Sequence, residues 1–500
     1  MKSAVISFSL ITLVLGVPSL GAEYAVQRPA RPTPAAPESQ FTIHPEQEKQ
    51  LINGIGFEIQ SDSIASGNQG LPAATTSVPH DLVPAERERF YREMLKGFRY
   101  CRIAGGLYWR GEDHPDQQFL KPRWAEQLVE IRDMLKAADV EGVSFEYWSP
   151  SPFWKANRKY NGQDKTENVL RCFGKNFAND PDYKGDVGRF LQDFAAACRH
   201  DLQTLRDNGI PISMWGLQNE PMCDVKYPSC VYTPQNYSKT FLAVAPVIRA
   251  FDPKIQIIAD SWDLHFIKPV LQNPEQSKLV DALAIHHIGS DSKQVGAQLI
   301  NPGKPKFQNE YEYLKGPASP ARCLNTVQHI MNWFQLGQAP TWFWIHALKP
   351  IGNVEASGYS LGFWRPIDDQ TPGEAPKFPG LKPGHWTWNK YNWHAVGSFV
   401  KHLPWDSRAV AVTEQIADPD LRVLAFKKAN GKLTIVLSNR SFTEHTFHVQ
   451  TGLQDAVFKG YRYTPDEAGP DFKGLAIGSL AGGTIAPRLA DLSWEFWEQQ

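Results

Sequence analysis

The sequence predicts an α/β fold, a (β/α)8 TIM barrel with an appended β-sandwich side domain that is built from both chain ends. Short apolar strand patterns alternate with helix patterns eight times between residues 54 and 346, and this alternation is typical of a TIM barrel. After residue 396 the pattern changes to short strands of alternating polarity. A chain of 500 residues is long enough for one such barrel and a smaller domain.

The first 40 residues predict an export signal followed by a linker. Residues 1–22 combine a positive charge at Lys2 with an apolar segment and a small-residue exit, which is the pattern of a secretory signal peptide. The apolar segment is short for a membrane span. Residues 23–40 are rich in proline and predict an extended linker. We therefore expect a secreted or periplasmic protein without a membrane span.

Residues 41–53 predict a strand of the side domain, and residues 54–395 predict the barrel. The eight strand patterns of the barrel are Gly54–Gln60, Phe98–Ile103, Val143–Trp148, Ile212–Leu217, Ile255–Ala259, Ala282–His286, Lys306–Glu312 and Thr341–His346. In the clearest helix pattern, Val187–Asp207, apolar residues recur every three or four positions. The other helix patterns are Pro84–Leu95, Trp124–Ala138, a helix that starts at Pro234 with Thr233 as its cap, and Ala321–Phe334.

The remainder of the chain predicts a long loop and then the rest of the β-sandwich. Residues 350–385 are rich in Gly and Pro and show no periodic pattern, and loops of this length are often functional. Residues 396–500 predict the sandwich strands. Among them, Val423–Phe426 and Leu433–Leu437 flank Asn430-Gly431, a dipeptide that favours a tight hairpin turn.

Composition narrows the classes of partner and cofactor. The formal net charge of −1 gives no reason to expect a nucleic-acid partner. No Gly-x-Gly-x-x-Gly pattern and no paired CxxC occur, so neither a nucleotide nor a structural zinc is expected. Of the six Cys, Cys101 and Cys198 are expected as buried thiols, whereas Cys223 and Cys230 flank a short loop that a disulfide could close.

Two glutamates end barrel strands at the spacing of three strand–helix units. Strand four leads into Gln218-Asn219-Glu220-Pro221, and Glu310 follows about 90 residues later, where each unit takes roughly 30 residues. Glu220 and Glu310 therefore belong to strands four and seven, at the barrel end where catalysis takes place. Glycoside cleavage uses two such carboxyl groups.

Several motifs, in order, resemble glycoside hydrolase family 30, whose members are clan A retaining β-glycosidases. Gln218–Pro221 resembles the acid/base motif of that family, and residues 148–157 (Trp-Ser-Pro-Ser-Pro-Phe-Trp-Lys-Ala-Asn) are similar to its strand-three motif. Arg102 resembles its strand-two arginine, and residues 391–404 resemble its passage from barrel to side domain. The resemblance covers nearly all of residues 41–500.

The resemblance implies a role for each candidate residue. Glu310 is the expected nucleophile, with Glu312 on the same side of the strand as its rival, and Glu220 is the expected acid/base. The nearby negative charge is expected to raise the pKa of Glu220 and keep it protonated. The remaining substrate-binding candidates are Asn219 on the sugar 2-hydroxyl, Arg102 beside Glu310, and Trp148, His286 and Trp344 in the cleft.

No metal site is predicted at His286 and His287. Adjacent strand residues point to opposite faces, so only one of them reaches the barrel interior, and no third ligand is spaced nearby. His286 is expected either to line the cleft as a hydrogen-bonding residue or to lie in the core.

Some positions depart from the family pattern, so the sugar specificity stays open. Asp62 lies one residue out of step with the strand-one sugar-binding Asp, Asn309 replaces the usual Thr or Ser before the nucleophile, and Ile288 and Phe343 replace an aromatic and a polar residue. Residues 350–385 and Tyr108-Trp109 are expected to shape the choice of substrate.

The sequence thus predicts a secreted retaining β-glycoside hydrolase that cleaves β-linked poly- or oligosaccharides and needs no cofactor. Its partner is a carbohydrate, and its oligomeric state stays open. The alternatives are a transglycosylase, which differs in the acceptor of the glycosyl group, and a catalytically inactive carbohydrate-binding protein on the same fold.

Overall fold

The computed structural model describes most of the chain after residue 38. The described residues are 39–59, 82–107, 109–111, 113–122, 126–163, 167–262, 264–286, 303–311, 319–351, 359–365, 378, 380–415, 417–466 and 473–500. Several predictions concern residues outside these ranges, namely the signal peptide, nearly all of the linker, most of residues 350–385, and Asp62, Tyr108, His287, Ile288 and Glu312.

Eight parallel strands close into a barrel, as the sequence predicts. In order around the barrel they are β2 (Gly54–Glu58), β3 (Tyr100–Gly105), β4 (Gly142–Tyr147), β5 (Ile212–Gly216), β6 (Gln256–Trp262), β7 (Ala282–His286), β8 (Lys306–Tyr311) and β9 (Thr341–Trp344). Strand β2 pairs with both β3 and β9, which completes the closure. A Cβ atom on Gly56 would lie 2.2 Å from the ring of Phe343, so the glycine of β2 permits a close approach inside the barrel.

Helices surround the strands near the predicted positions. They are α1 (Pro84–Arg89, continued as a π-helix over Phe90–Leu95), α2 (Gln127–Ala137), α3 (Val187–Asp207), α4 (Pro234–Phe251), α5 (Lys268–Leu271), α6 (Pro274–Ser277), α7 (Pro320–Gln335) and α8 (Lys390–His402), with 3-10 turns at Pro152–Trp154, Arg171–Phe173 and Phe177–Asn179. The predicted cap of α4 is confirmed, because the Thr233 side chain accepts a hydrogen bond from the Asn236 backbone N–H. Among the described residues, no helix combines the length and the apolar character that crossing a membrane requires.

The side domain is formed by both chain ends, as predicted. Its strands are β1 (Ser39–Leu51), β13 (Arg408–Glu414), β14 (Leu421–Lys427), β15 (Leu433–Asn439), β16 (His445–Gln450), β17 (Val457–Tyr463), β18 (Leu475–Ala481), β19 (Thr484–Ile485), β20 (Arg488–Leu489) and β21 (Ser493–Gln499). They join in one curled, mostly antiparallel sheet with the order β18-β17-β21-β15-β14-β13-β1-β16-β19, and β20 pairs with β16. Strands β14 and β15 form the predicted hairpin around Gly431, which adopts a φ of +81°.

The central strands of this sheet bury side chains on both faces, since successive side chains along a strand point to opposite sides. On β14, Leu424 and Phe426 belong to the core of the barrel and its helices, and Phe426 contacts Phe334 of α7. Val423 and Ala425 point the other way, into a separate core that also contains Phe41 of β1. The N-terminal strand is therefore an integral part of this domain.

A small sheet follows the last barrel strand. It consists of β10 (Leu348–Pro350), β11 (Gly362–Trp364) and β12 (Trp386–Trp388), with β11 in the centre. The predicted patternless stretch therefore contains a strand in its described part. The boundary predicted between residues 395 and 396 lies within α8, and the next strand of the large sheet begins at Arg408.

The disulfide considered between Cys223 and Cys230 does not form, because all six cysteines are free thiols. The two sulfur atoms have different neighbours: Cys223 interacts with the Glu220 carboxyl group, and buried Cys230 interacts with Tyr232. Cys101 on β3 and Cys198 on α3 are buried thiols, as predicted.

Candidate active site

The inside of the barrel is divided into an apolar layer and a polar layer. The apolar layer contains Met214, Ile258, Ala282, Ala284, Phe307 and Phe343. Phe343, one of the departures from the family pattern, is packed there against Tyr100 and therefore fills the barrel interior. The polar layer lies at the carboxyl ends of the strands and contains Glu58, Arg102, Glu146, Asn219, Glu220, His286 and Glu310.

The two predicted catalytic glutamates face each other in this polar layer. One oxygen of Glu220, one oxygen of Glu310 and one ring nitrogen of His286 all lie within 4.8 Å of one another. Retaining glycosidases hold their two carboxyl groups about 5–5.5 Å apart, whereas inverting enzymes need a wider gap for a water molecule. The observed approach therefore fits direct attack by one carboxylate on a sugar.

Glu220 lies in the turn after β5, four residues past the end of the strand. Its φ of +43° is a left-handed conformation that costs a non-glycine residue on the order of 1 kcal/mol. The turn is held by a hydrogen bond from the Asn219 backbone N–H to the Tyr147 carbonyl at 2.7 Å and by one from the Cys223 N–H to the Glu220 carbonyl at 2.8 Å. Strained residues of this kind are concentrated at functional sites.

Burial raises the pKa of Glu220, and the Cys223 thiol and Arg102 oppose this effect to a smaller extent. The expected direction is therefore confirmed, but the expected cause is not: the pKa rises because the side chain is taken out of water, rather than because of the neighbouring negative charge. A carboxyl group in such an environment retains its proton to a higher pH than an exposed one.

Glu310 is the penultimate residue of β8, and hydrogen bonds hold both its backbone and its carboxylate. The Gln308 side chain bridges its backbone, accepting from the Glu310 N–H and donating to the Glu310 carbonyl, each at 2.8 Å. Its carboxylate accepts a hydrogen bond from Arg102 at 2.6 Å. Burial raises the pKa of Glu310, while His286 and Arg102 pull it down and Glu220 adds to the rise.

Arg102 is the centre of the polar layer. Its Nη1 donates to Glu58 at 2.5 Å and to Glu310 at 2.6 Å, while its Nη2 donates to Glu146 and to the Asn219 Oδ1, each at 2.5 Å. The side chain is completely buried. The predicted contact between Arg102 and Glu310 is present, and Asn219 shares the same guanidinium.

His286 lies between the two glutamates, with one ring nitrogen directed at each. Nδ1 is 3.2 Å from Glu220 Oε1, and Nε2 is 3.6 Å from Glu310 Oε2. Burial lowers the pKa of His286, which favours the neutral form of the ring. The expectation that no third ligand lies near His286 is wrong in space, because Glu220, His286 and Glu310 lie close enough together to hold a metal ion. The Nδ1 contact with Glu220 is a hydrogen bond, whereas the Nε2 contact with Glu310 is too long for one.

The two predicted tryptophans differ in their surroundings. Trp148 follows β4, and its ring centroid is 5.6 Å from that of Tyr227 in the loop after Glu220. Trp344 ends β9 and is completely buried, with its Nε1 donating to the His346 carbonyl at 3.0 Å and its ring against Tyr311. Trp344 thus contributes packing to the wall of the site, and its contact with a sugar stays a prediction.

Sequence reasoning missed two carboxyl groups of the polar layer, Glu58 on β2 and Glu146 on β4. A signal was present, because both interrupt apolar strands that are buried on both faces, where a charge requires a partner. Trp262, at the end of β6, was also missed, and its ring contacts His286 edge-on with centroids 6.1 Å apart.

Comparison with solved structures finds this architecture in several proteins, some of them glycoside hydrolases. The catalytic domain of GH30 xylanase C from Talaromyces cellulolyticus aligns with a TM-score of 0.65 and 14% identity over 92% of this chain and 100% of that chain. A conserved exported protein from Bacteroides fragilis aligns with a TM-score of 0.68 and 15% identity over 92% and 99%. An endo-β1,6-glucanase aligns with a TM-score of 0.63 and 15% identity over 93% and 94%.

No protein-family model matches the sequence, and no curated protein matches it. Because the structural neighbours share so few identical residues with the chain, their likeness establishes the fold alone. At that level the resemblance to glycoside hydrolase family 30 is confirmed: the chain has the barrel and side domain of these enzymes.

Proposed function

We propose that this protein is a retaining β-glycoside hydrolase that cleaves β-linked poly- or oligosaccharides. The observation that carries the proposal is the approach of Glu220 and Glu310, whose facing oxygens lie within 4.8 Å of each other at the carboxyl ends of the barrel strands. The fold shared with a xylanase and an endo-β1,6-glucanase supports the same class of reaction.

In the first step, Glu310 attacks the anomeric carbon and Glu220 donates its proton to the leaving oxygen. The bond to the leaving group breaks as the ester bond between the sugar and Glu310 forms. Arg102 orients the attacking carboxylate through its 2.6 Å hydrogen bond. Burial favours the protonated form of Glu220, which is the form that this step requires.

In the second step, water attacks the anomeric carbon and Glu220 accepts its proton, while the Glu310 carboxylate departs. His286 supports both proton states of Glu220. The Nδ1 atom lies 3.2 Å from Glu220 Oε1, so it can accept a hydrogen bond from the protonated carboxyl group in one ring tautomer and donate one to the ionised carboxylate in the other.

Asn219 is the proposed ligand of the sugar 2-hydroxyl. Its Oδ1 accepts from Arg102 at 2.5 Å, which fixes the orientation of the amide. The remaining amide NH2 group is a donor, and a hydroxyl oxygen can accept from it. A hydrogen bond to the 2-hydroxyl strengthens as the positive charge develops on the ring in the transition state.

We also propose that the protein is exported, on the basis of the signal pattern in residues 1–22. Expression of the full chain in a bacterial host, followed by N-terminal sequencing of the mature protein, tests this. Export predicts a new N-terminus near residue 23 and protein outside the cytoplasm, and an intact Met1 in the cytoplasm contradicts it.

A screen of aryl β-glycosides and of plant, fungal and algal polysaccharides tests the activity, and NMR of the first product gives its anomeric configuration. We expect a β-product. Glu310→Gln should abolish turnover with the fold intact, and azide should restore turnover to Glu220→Ala with a β-glycosyl azide as product. Glu495→Gln, at a buried carboxyl group of the side domain, is the matched control. Full activity in Glu310→Gln, or an α-configured first product, would refute the assignment.

A further inference from the structure

Glu58 and Glu146 lie inside the barrel beside the proposed catalytic pair, and neither has a role in the proposed reaction. Their exposures are 0% and 1%. Both bind Arg102, which also binds Glu310 and Asn219. One guanidinium therefore serves the nucleophile, the sugar-binding amide and two further carboxyl groups.

Such a cluster is expensive to bury, so a purely structural role is a poor explanation. Replacement of buried ion networks by apolar residues of similar volume is often neutral or stabilising in other proteins. The groups that face Glu310 carry far more potential negative than positive charge: the carboxyl groups of Glu58, Glu146 and Glu220, the Cys223 thiol, the neutral His286 ring and the Arg102 guanidinium.

Glu146 is held in one position by four barrel strands. Its Oε2 accepts from Arg102 of β3 and lies 3.5 Å from the Asn309 Nδ2 of β8. Its Oε1 accepts from the Ser261 hydroxyl, which β6 presents at a left-handed φ of +54°. A Cβ atom on Gly216 of β5 would lie 2.8 Å from the same Oε1.

Glu58 differs from Glu146 in its hydrogen bonding. Its Oε2 accepts from Arg102, but its Oε1 has no hydrogen-bond partner among the described residues. A buried carboxylate with one unsatisfied oxygen is more costly than a neutral carboxyl group. Burial accordingly raises the pKa of Glu58 to about 8, so this side chain is neutral at pH 7.

We propose that Glu146 is a positioning residue of the reaction that acts through Arg102: it holds the guanidinium between Glu310 and Asn219 and shares its positive charge with the nucleophile. A guanidinium paired with Glu310 alone would stabilise the free carboxylate before reaction and make it a weaker nucleophile. Sharing the guanidinium leaves Glu310 oriented and reactive. This inference rests on the proposed function, since it assigns Glu310 as nucleophile.

The ionisation of Glu310 can be measured without substrate. In the full-length protein labelled with [5-13C]glutamate, the Glu310 resonance is the one that Glu310→Gln removes, and its chemical shift is followed against pH. In Glu146→Gln the Arg102 guanidinium acts on Glu310 without the competing carboxyl group of Glu146. We therefore expect the midpoint of Glu310 ionisation to fall by roughly one pH unit or more. Glu58→Gln replaces a neutral acid with a neutral amide, and we expect less than half of that shift.

Asp201→Asn is the matched control. Asp201 is a buried carboxyl group bound by the Tyr147 hydroxyl and the Leu120 N–H, away from Arg102, and its replacement should leave the midpoint in place. An unchanged midpoint in Glu146→Gln, or an equal shift in Asp201→Asn, would overturn the proposal.

If Glu146→Gln does not fold, Glu146→Asp decides the question. The shorter side chain keeps the carboxyl group but withdraws it from Arg102, so the midpoint should move in the same direction by a smaller amount, and no movement refutes the proposal. Where turnover is measurable, the pH at which kcat/KM falls on the acid side should shift together with the midpoint of Glu310 ionisation. Failure to find any hydrolysed glycoside would refute the proposed function and leave the titration valid.

Discussion

Glu58 should make the wild-type protein less stable as the pH rises from 4.5 to 8. In the folded protein its pKa is about 8, against a usual value of 4.5. Between these values the unfolded chain releases the proton while the folded protein retains it, so folding is progressively disfavoured. A carboxyl group whose pKa is raised in the folded protein makes its full contribution to the free energy of unfolding at low pH. This contribution is lost as the pH rises through the folded-state pKa.

The size of the effect follows from this difference. A rise from 4.5 to about 8 corresponds to on the order of 5 kcal/mol across the whole range. Glu58→Gln removes the titration and keeps the hydrogen bond from Arg102. The free energy of unfolding of this variant, minus that of the wild type, should therefore grow by several kcal/mol between pH 4 and pH 8.

Urea unfolding followed by tryptophan fluorescence, at constant ionic strength and at four or five pH values, measures this difference. Glu498→Gln is a control of opposite sign, because the hydrogen bond with His402 lowers the pKa of Glu498. That variant should lose stability relative to the wild type as the pH rises through the usual range of a carboxyl group. A difference between Glu58→Gln and the wild type that stays constant with pH would refute the reasoning about Glu58.

Three further predictions concern the site and the barrel. Asn219→Ala should lower kcat/KM by about 100-fold on substrates with a 2-hydroxyl and much less on 2-deoxy substrates, because the proposed hydrogen bond acts in the transition state; equal losses would contradict this role. Tyr227 is 41% exposed, contacts Trp148 and lies in the loop after Glu220, the residue proposed to protonate the leaving oxygen, so Tyr227→Ala should raise KM several-fold for glycosides with a sugar leaving group and leave glycosyl fluorides unchanged. Gly56→Ala should destabilise the protein by about 1–3 kcal/mol in thermal or urea unfolding, because its Cβ would meet the Phe343 ring, and Phe343→Leu should recover part of the loss.

One helix and one strand of the barrel were predicted to the residue. Helix α3 and strand β7 have the bounds that the sequence patterns indicate, Val187–Asp207 and Ala282–His286. The approach of Glu220 and Glu310 was also predictable, because strand–helix units of similar length bring the ends of parallel strands to one rim.

The neighbours of Arg102 could not be predicted in the same way. Arg102 and Glu310 are separated by 208 positions, and their contact depends on the register of strands across the closed barrel. A shift of one residue in any strand turns its side chains to the other face. The Glu58 and Glu146 patterns indicate buried charges, but they do not specify which group the charges bind.

The different surroundings of the two glutamates support their proposed roles without reference to any family. Arg102 donates a hydrogen bond directly to Glu310, and this contact favours the ionised carboxylate that a nucleophile must be. Glu220 interacts instead with the Cys223 thiol and the neutral His286 ring, neither of which carries a positive charge. Both pKa values are raised by burial, but only Glu310 has a cation in direct contact to oppose the rise. Of two carboxyl groups that are too close to ionise together easily, we therefore expect Glu310 to lose its proton first and Glu220 to retain the proton that the leaving oxygen needs.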